Sequence, residues 1–303
     1  MITHNDRLGA VVPSAAVRNA FGDAYPWALC PASPAVREYA ALLAGEVAAL
    51  PEADAVEFEA CGWYGVEHLS AHDKSAGAVG GAAAQWLLSV CFCSACRREY
   101  AAAGADPARL ADRVRAAVDS PAKAALPAET ALPAETALPG EAAPPGAAAL
   151  PGPAALPGEA AGVLIGVRAA LATRFQREVI AAARAAAPGK PIYLHVHPDP
   201  RAAGANPGYA PAALAGTTGI VLSCWDPGTA PALVSRATAT VPDGTAVAAS
   251  LLAVSGLGGD PATLPAQAAA VRAAGATELR LYHAGLASAA DLVAIGRLCA
   301  ARG

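Results

Sequence analysis

The sequence has few aromatic residues, few charged residues and no long uninterrupted apolar stretch. Aromatic residues make up 5% of the 303 residues and charged residues 15%, and much of the 55% apolar content is alanine. The most apolar stretch, residues 162–172, is interrupted by Arg168 and is shorter than the roughly 18 residues that a membrane-spanning helix needs. We therefore expect no membrane-spanning segment and no membrane partner.

The chain also lacks an excess of basic residues and a recognisable secretory leader. Its formal net charge is −4 and its isoelectric point is about 5.9. Because this balance disfavours binding to a phosphate backbone, we expect no nucleic-acid partner. Residues 1–30 contain no basic segment followed by an apolar stretch. If Met1 is the natural start, this absence predicts a cytoplasmic location.

A low-complexity segment at residues 120–161 divides the chain. Its core, ALPAETALPAETALPGE, repeats a six-residue unit. Proline every few residues prevents a continuous helix, and the segment has too few large apolar side chains to fold by itself. We expect a disordered insertion between an N-terminal part, residues 1–119, and a C-terminal part, residues 162–303.

Strands and helices alternate on both sides of this segment. The pattern predicts five strands, at residues 55–60, 192–197, 219–225, 246–254 and 278–283, and helices that include residues 34–50 and 163–187. Their apolar side chains mostly alternate with polar or aromatic ones, whereas strands of an open doubly wound sheet are apolar on both faces. The fold class is therefore α/β. The alternation favours a (β/α)8 TIM barrel, whose active sites lie at the C-terminal strand ends.

Five strands are too few to close such a barrel, which has eight. The chain opens with Met-Ile-Thr-His-Asn-Asp, a pattern typical of the end of a strand that runs into a loop. We expect a partial (β/α)8 barrel of about five parallel strands from which N-terminal β/α units are missing. Residues 55–60 and 278–283 should lie at its two edges.

Three of the seven cysteines lie close together, as Cys91-x-Cys93-x2-Cys96. This spacing places three soft ligands on one tight loop, and tetrahedral Zn²⁺ needs one more. Cys61 is a candidate for the fourth ligand. In the alternative interpretation the three thiols are buried and act as small apolar side chains.

Three segments together resemble the glycoside hydrolase family 42 β-galactosidases and looser glycosidase-like barrel families. They are residues 30–50 (CPASPAVREYAALLAGEVAAL), 56–65 (VEFEACGWYG) and 91–104 (CFCSACRREYAAAG). The resemblance implies a TIM barrel and a structural four-cysteine zinc site, in which Cys30 is the fourth ligand. It also places Glu59 where that family carries its acid/base glutamate.

The sequence departs from that family at two places. Phe58 stands where the family has an asparagine before the acid/base glutamate, and residues 246–254 contain no glutamate where the family has its nucleophile. Catalysis is therefore an open question. We expect a glycosidase-like protein that either hydrolyses carbohydrate or binds it without catalysis.

Carboxylates near the strand ends are the candidate catalytic groups. Glu59 should point into the barrel, and Glu57 one layer deeper should form an ion pair with Arg280. A glycosidase needs a second carboxylate about 5–5.5 Å or 6.5–9.5 Å away. Asp199, Asp226 and Asp260 lie in strand-end loops and could supply it, although Asp-Pro is also a common turn.

Aromatic and histidine side chains near the same strand ends are candidates for binding a sugar. They are Trp63, His195, His197, Trp225, Tyr282 and His283. In an alternative function, His195 and His197 would be metal ligands of a metal-dependent hydrolase. His68 and His72 are four residues apart and would share a face if helical, but a polar loop is the simpler prediction for them.

Overall fold

The computed structural model describes residues 1–66, 82–119 and 158–300. Most of the segment that was expected to be disordered lies outside these residues, and so do His68 and His72. All residues named below belong to the described ranges.

A β-hairpin and a set of helices form the N-terminal part of the structure. The elements are α1 (Asp6–Val11), β1 (Ala16–Arg18), β2 (Ala24–Leu29), α2 (Pro34–Ala49), β3 (Val56–Phe58), α3 (Ala82–Leu88), α4 (Ser94–Ala102) and α5 (Pro107–Val118). Strands β1 and β2 pair antiparallel, with an irregularity between Ala16 and Val17. The expected helix at residues 34–50 and the expected strand at residues 55–60 are therefore present. The β1–β2 hairpin was not predicted from the sequence.

Alternating strands and helices form the C-terminal part. The elements are α6 (Gly158–Ala186), β4 (Ile192–His195), β5 (Gly219–Ser223), α7 (Ala230–Thr238), β6 (Ala246–Leu252), α8 (Leu264–Ala273), β7 (Glu278–Tyr282) and α9 (Ala289–Ala300). Helix α6 begins at Gly158, earlier than the expected start at Val163. Packing of the buried residues Ala160, Ala161 and Leu164 stabilises its first turns.

The five expected strands form one parallel sheet in the order β3-β4-β5-β6-β7. The fold class is thus confirmed as α/β, and the two edge strands are those that the sequence predicted. The outer face carries the apolar residues Ile192, Leu194, Ile220 and Leu222, which pack under the helices. The alternate positions form the inner face, which carries polar residues such as Glu57, His195 and Arg280 and a small apolar cluster of Tyr193, Val221 and Ala248.

The sheet is strongly curled. Strands β3 and β7 are four strand spacings apart, which would separate them by about 19 Å in a flat sheet. Yet Arg280 on β7 places its Nε atom 2.9 Å from an oxygen of Glu57 on β3. Two side chains cannot bridge a gap of that width, so the sheet must bend toward itself. It forms a half-barrel with a concave polar face.

Residues at the start of the chain lie against the edge of β3. The amide of Ile2 donates to the carbonyl of Glu59 at 2.9 Å, and that of Thr3 to Ala60 at 3.0 Å. On the other side His4 pairs with Ala28 of β2 in an isolated antiparallel bridge. The opening residues therefore connect the hairpin to the sheet, and they cover part of the edge of β3 near its C-terminal end.

Two apolar clusters share helix α6. The sheet core lies between the outer face of the sheet and helices α2, α6, α7 and α8, and includes Phe175 and Ile180. The hairpin core joins the β-hairpin to α3, α4, α5 and the first half of α6, and includes Leu164 and Leu171. With 29 residues, α6 is about 43 Å long, so one helix can serve both.

Candidate functional site

Four buried cysteines converge in the hairpin core. The ligand atoms of Cys30, Cys91, Cys93 and Cys96 all lie within 4.8 Å of one another. The sulfur of Cys30 is 3.6 Å from that of Cys93 and 3.5 Å from that of Cys96. Since a zinc–sulfur bond is about 2.3 Å long, sulfurs at these separations can surround one metal ion.

Strands β1 and β2 and helix α4 position the four sulfurs. Cys30 directly follows β2, and Cys93 is the N-cap residue of α4, so Cys96 lies in the first turn of that helix. The amides of Arg18 and Cys93 each donate to the sulfur of Cys91 at 3.4 Å. Amide donors and a helix N-terminus both stabilise negative charge on sulfur, as a metal thiolate requires.

The thiols influence one another electrostatically. The pKa of Cys93 is lowered, chiefly because its sulfur is hydrogen-bonded to that of Cys30. The pKa of Cys30 is raised, first through its interaction with Cys91, and that of Cys96 through its interaction with Cys30. One sulfur thus holds negative charge more readily than its neighbours, and a bound cation would allow all four to do so.

Cys30, and not Cys61, completes the cysteine set. Cys61 lies in the sheet core with no exposed surface, and burial raises the pKa of its thiol. All seven cysteines are in the described residues, and none forms a disulfide. The donor set fits a metal that prefers four sulfur ligands in a closed site. The cluster could therefore hold a metal ion.

The inner face of the half-barrel carries a connected charge network. Glu57 accepts from His195 at 3.1 Å and from Arg280 at 2.9 Å, and Arg280 also binds Glu278 at 2.8 Å. The hydrogen bond from His195 lowers the pKa of Glu57 to about 2 against the opposing effect of burial, and Arg280 adds to the lowering. The expected ion pair between Glu57 and Arg280 is confirmed.

Tyr193 supports this network from the middle of the concave face. Its hydroxyl donates to Glu278 at 2.8 Å, and the guanidinium of Arg280 lies 5.1 Å from its ring centre. A Cβ on Gly219 would come within 2.7 Å of the Tyr193 ring, so glycine there leaves room for it. Tyr193 and Glu278 were not among the predicted site residues, although they share a strand face with His195 in β4 and with Arg280 in β7, and strand alternation alone indicates this.

Glu59 differs from Glu57 because its side chain has no protein partner among the described residues. It is half-buried just beyond β3, at an alternate position to Phe58. Ala60 follows with a φ of 53°, which is uncommon for a residue with a side chain. Its conformation is held by bonds from Thr3 to its carbonyl and from its own amide to Ala205. Strain of this kind often accompanies functional positions.

Two of the three aspartates predicted as second carboxylates, Asp199 and Asp226, are engaged in local turns near strand ends. Asp199 is 4% exposed and forms a close ion pair with Arg201. Burial raises the pKa of Asp199, but the hydrogen bonds from Arg201 outweigh that effect, so that the pKa is lowered. Asp226 is exposed and accepts from the Gly228 amide and the Thr229 hydroxyl at 2.9 Å. Asp226 is thus the more accessible of the two.

Three of the predicted sugar-binding rings form a continuous aromatic group near the strand ends. The Trp225 and Tyr282 ring centres are 4.9 Å apart, and so are those of Tyr282 and His283. Trp225 follows β5, whereas Tyr282 ends β7. All three side chains are half-buried, so part of each ring is available to a ligand on that side.

The other predicted ligand-binding residues are placed differently. Trp63 is 1% exposed and donates its indole N–H to the carbonyl of Arg168 at 2.9 Å, so it packs in the hairpin core and has no open ring face. His197 is also buried, and burial lowers its pKa to about 4. The reason is that β4 ends at His195, so strand alternation no longer applies beyond it.

The described residues give His195 and His197 no metal-binding partners. Within those residues, the four cysteines are the one group of three or more His, Cys, Asp or Glu side chains close enough to hold an ion. Instead His195 contacts Glu57, and the Nδ1 atom of His197 accepts from the amide of Asp199 at 3.0 Å. The geometry therefore does not support the metal-dependent hydrolase.

Comparison with known proteins gives a similarity of fold. No protein-family model matches the chain, and no curated protein matches it in sequence. The glycoside hydrolase domain of PgaB (BpsB) from Bordetella bronchiseptica is similar in structure, with a TM-score of 0.51 and 12% sequence identity. The match covers 91% of this chain and 64% of that domain. This structural likeness shows that the chain has a glycosidase-like fold.

None of the described helices is long and apolar enough to span a membrane.

Proposed function

We propose that the protein binds carbohydrate at the concave face of the half-barrel and hydrolyses a glycosidic bond there, with Glu59 as the general acid/base. The observation that carries this proposal is the unpartnered carboxylate of Glu59 at the C-terminal end of β3, in a fold shared with a glycoside hydrolase domain. Active sites of (β/α) barrels lie at this end of the strands. The likeness of residues 30–104 to family 42 β-galactosidases supports the same role.

The neighbouring groups suit a sugar ligand. The aromatic group of Trp225, Tyr282 and His283 offers flat apolar faces with polar edges, which match the faces of a pyranose ring. Asp226 lies in the loop after β5 and is exposed, whereas Asp199 is buried. In this scheme Glu59 protonates the leaving oxygen, and Asp226 activates water or attacks the sugar.

A carbohydrate-binding protein without catalytic activity is the second candidate. The observation that favours it is the end of β6, where residues 253–255 carry no carboxylate of their own and Ser255 donates to the buried carboxylate of Asp291 at 2.8 Å. Asp260, further along this loop, accepts from the amide of Ala262 at 3.0 Å and so stabilises a turn. The two candidates share the concave face and differ only in turnover.

Hydrolysis and binding measured on matched variants separate these candidates. We expect wild-type protein to hydrolyse at least one member of a panel of nitrophenyl glycosides. E59Q should lower kcat by at least about 100-fold, as expected for loss of a general acid, and should still bind the corresponding oligosaccharide in calorimetry. The exposed residue Glu52 gives the control, E52Q. Binding without turnover in the wild type would favour the second candidate, and absence of both would contradict the proposal.

We also propose that the cysteine cluster holds a structural Zn²⁺ ion. Four thiolates leave no position for water, so its role is to tie the hairpin to helix α4. The rival interpretation, four neutral buried thiols, predicts no metal in purified protein. A metal assay that finds one zinc per chain would exclude it.

A further inference from the structure

Arg168 is a charged residue buried next to the cysteine cluster. It is 2% exposed, and no carboxylate of the described residues forms an ion pair with it. One terminal nitrogen, Nη1, donates to the carbonyl of Ser89 at 2.8 Å. The other, Nη2, is buried and has no hydrogen-bond partner in the described part of the chain.

A buried guanidinium without a counter-charge is costly. The effective penalty for an unpaired ion is several kcal/mol, and arginine cannot escape it by losing its proton. Burial lowers the pKa of Arg168, while Tyr100, Cys96, Cys91 and Cys30 act in the opposite direction. Because burial raises the pKa of Tyr100 well above its ordinary value, its hydroxyl stays neutral, and the sulfurs of the cluster are the groups that could carry the missing negative charge.

The charge of a loaded cluster matches this need. As neutral thiols, the cysteines offer Arg168 no counter-charge. A Zn²⁺ ion with four thiolates carries two net negative charges, and it too lies in an apolar interior that favours a nearby cation. Attraction between the arginine and the metal thiolates would offset the free-energy cost of burying both.

The guanidinium is held in position by its surroundings. Its central carbon lies 4.4 Å from the ring centre of Trp63 and 5.9 Å from that of Trp86, contacts that orient a planar cation. Ser89, which accepts from Nη1, lies two residues before Cys91 in the chain. Arg168 is therefore fixed with respect to the loop that carries three of the four sulfurs.

We propose that Arg168 is the internal counter-cation of the metal–thiolate centre and that it couples zinc binding to the docking of helix α6. This proposal rests on the proposed zinc site. Arg168 acts as a positioning residue, since it supplies charge beside the ligands and contacts Ser89 on their loop. The single arginine in the apolar stretch of α6 is then explained by a metal ligated elsewhere in the sequence.

Variants that separate charge from packing test this role. We expect R168M to weaken zinc binding by about 10–100-fold, the usual effect of losing an outer-shell partner, and R168K to retain most of the affinity. A chromophoric chelator that competes for zinc measures the affinity. R174M is the matched control, because Arg174 lies on the same helix and reaches α4 through an exposed ion pair with Glu99. It should bind zinc as the wild type does.

Stability in denaturant supplies a second readout. R168M should lower the unfolding midpoint of the zinc-loaded protein and leave that of the metal-free protein unchanged or higher, because an apolar replacement removes an unpaired buried charge. A purely structural role would lower both midpoints equally. R168Q is the neutral variant to use if R168M does not fold.

The outcomes distinguish the two proposals. Wild-type zinc affinity in R168M, or equal losses in R168K and R168M, would overturn the role of Arg168 and leave the zinc site intact. A wild-type protein that binds no zinc would overturn both, because the counter-cation then has no charge to balance.

Discussion

Glu57 is the carboxylate that links the two edges of the sheet, since it contacts Arg280 on β7 and His195 on β4. Its pKa is about 2 in the folded protein, against an ordinary value of 4.5. A lowered carboxylate pKa adds stability above pH 4.5 that is lost as the pH falls toward 2. The contribution is on the order of 1 kcal/mol, because solvent screens a partly exposed pair.

We therefore expect the stability advantage of wild-type protein over E57Q to disappear between pH 4.5 and pH 2. Urea unfolding at a series of pH values measures this difference in the free energy of unfolding. E52Q is the control at an exposed position without these partners. A difference that stays constant across the range would show that Glu57 contributes by packing or hydrogen bonding alone.

Single residues were predictable from sequence where strand alternation extends to them. Alternation in β3 and β7 placed Glu57 and Arg280 on one face, and they do pair. The same reasoning placed His197 on the inner face, but β4 ends two residues earlier, and His197 forms an isolated bridge with Gly208 and has a buried side chain. Trp63 lies in a loop, where no periodic pattern indicates whether a ring faces the core or a ligand.

Whole elements were predictable when they were long and regular. Helix α2 and the five sheet strands follow patterns of period 3.6 or 2 that a sequence displays directly. The β1–β2 hairpin was missed, because β1 has only three residues and an irregular register and no Asn-Gly or Asp-Gly pair marks its turn. Yet this hairpin positions Cys30 and Arg18 at the cysteine cluster.

At the level of elements, the Pro-rich segment yields a separate prediction. Deletion of residues 121–156 should change the melting temperature by only a few degrees, since the length of a flexible connection has a small entropic effect. The control is L164A just beyond it, which removes a fully buried side chain of α6 and should cost about 2–5 kcal/mol. A deletion as harmful as L164A would show that the segment contributes packing.

In the whole molecule, helix α6 joins the two cores, whereas the cysteine cluster lies within the hairpin core. The sheet core rests on large aliphatic side chains from strands and helices. The hairpin core is built from short elements, and the cluster connects the hairpin to α4 at its centre. Metal binding adds free energy to the folded state alone, so it should stabilise the hairpin core more than the sheet core.

Loss of the metal should therefore loosen one half of the molecule before the other. We expect C93S, or removal of zinc by a chelator, to lower the melting temperature by more than the roughly 2–4 °C that corresponds to 1 kcal/mol in a domain of this size. Hydrogen exchange should accelerate in β1, β2 and α4 and stay slow in β5 and β6. C299S, at an exposed cysteine, is the control and should match the wild type. Uniform acceleration of exchange across both cores would instead mean that the metal stabilises a single cooperative unit. No acceleration at all would mean that the four thiols pack as apolar side chains.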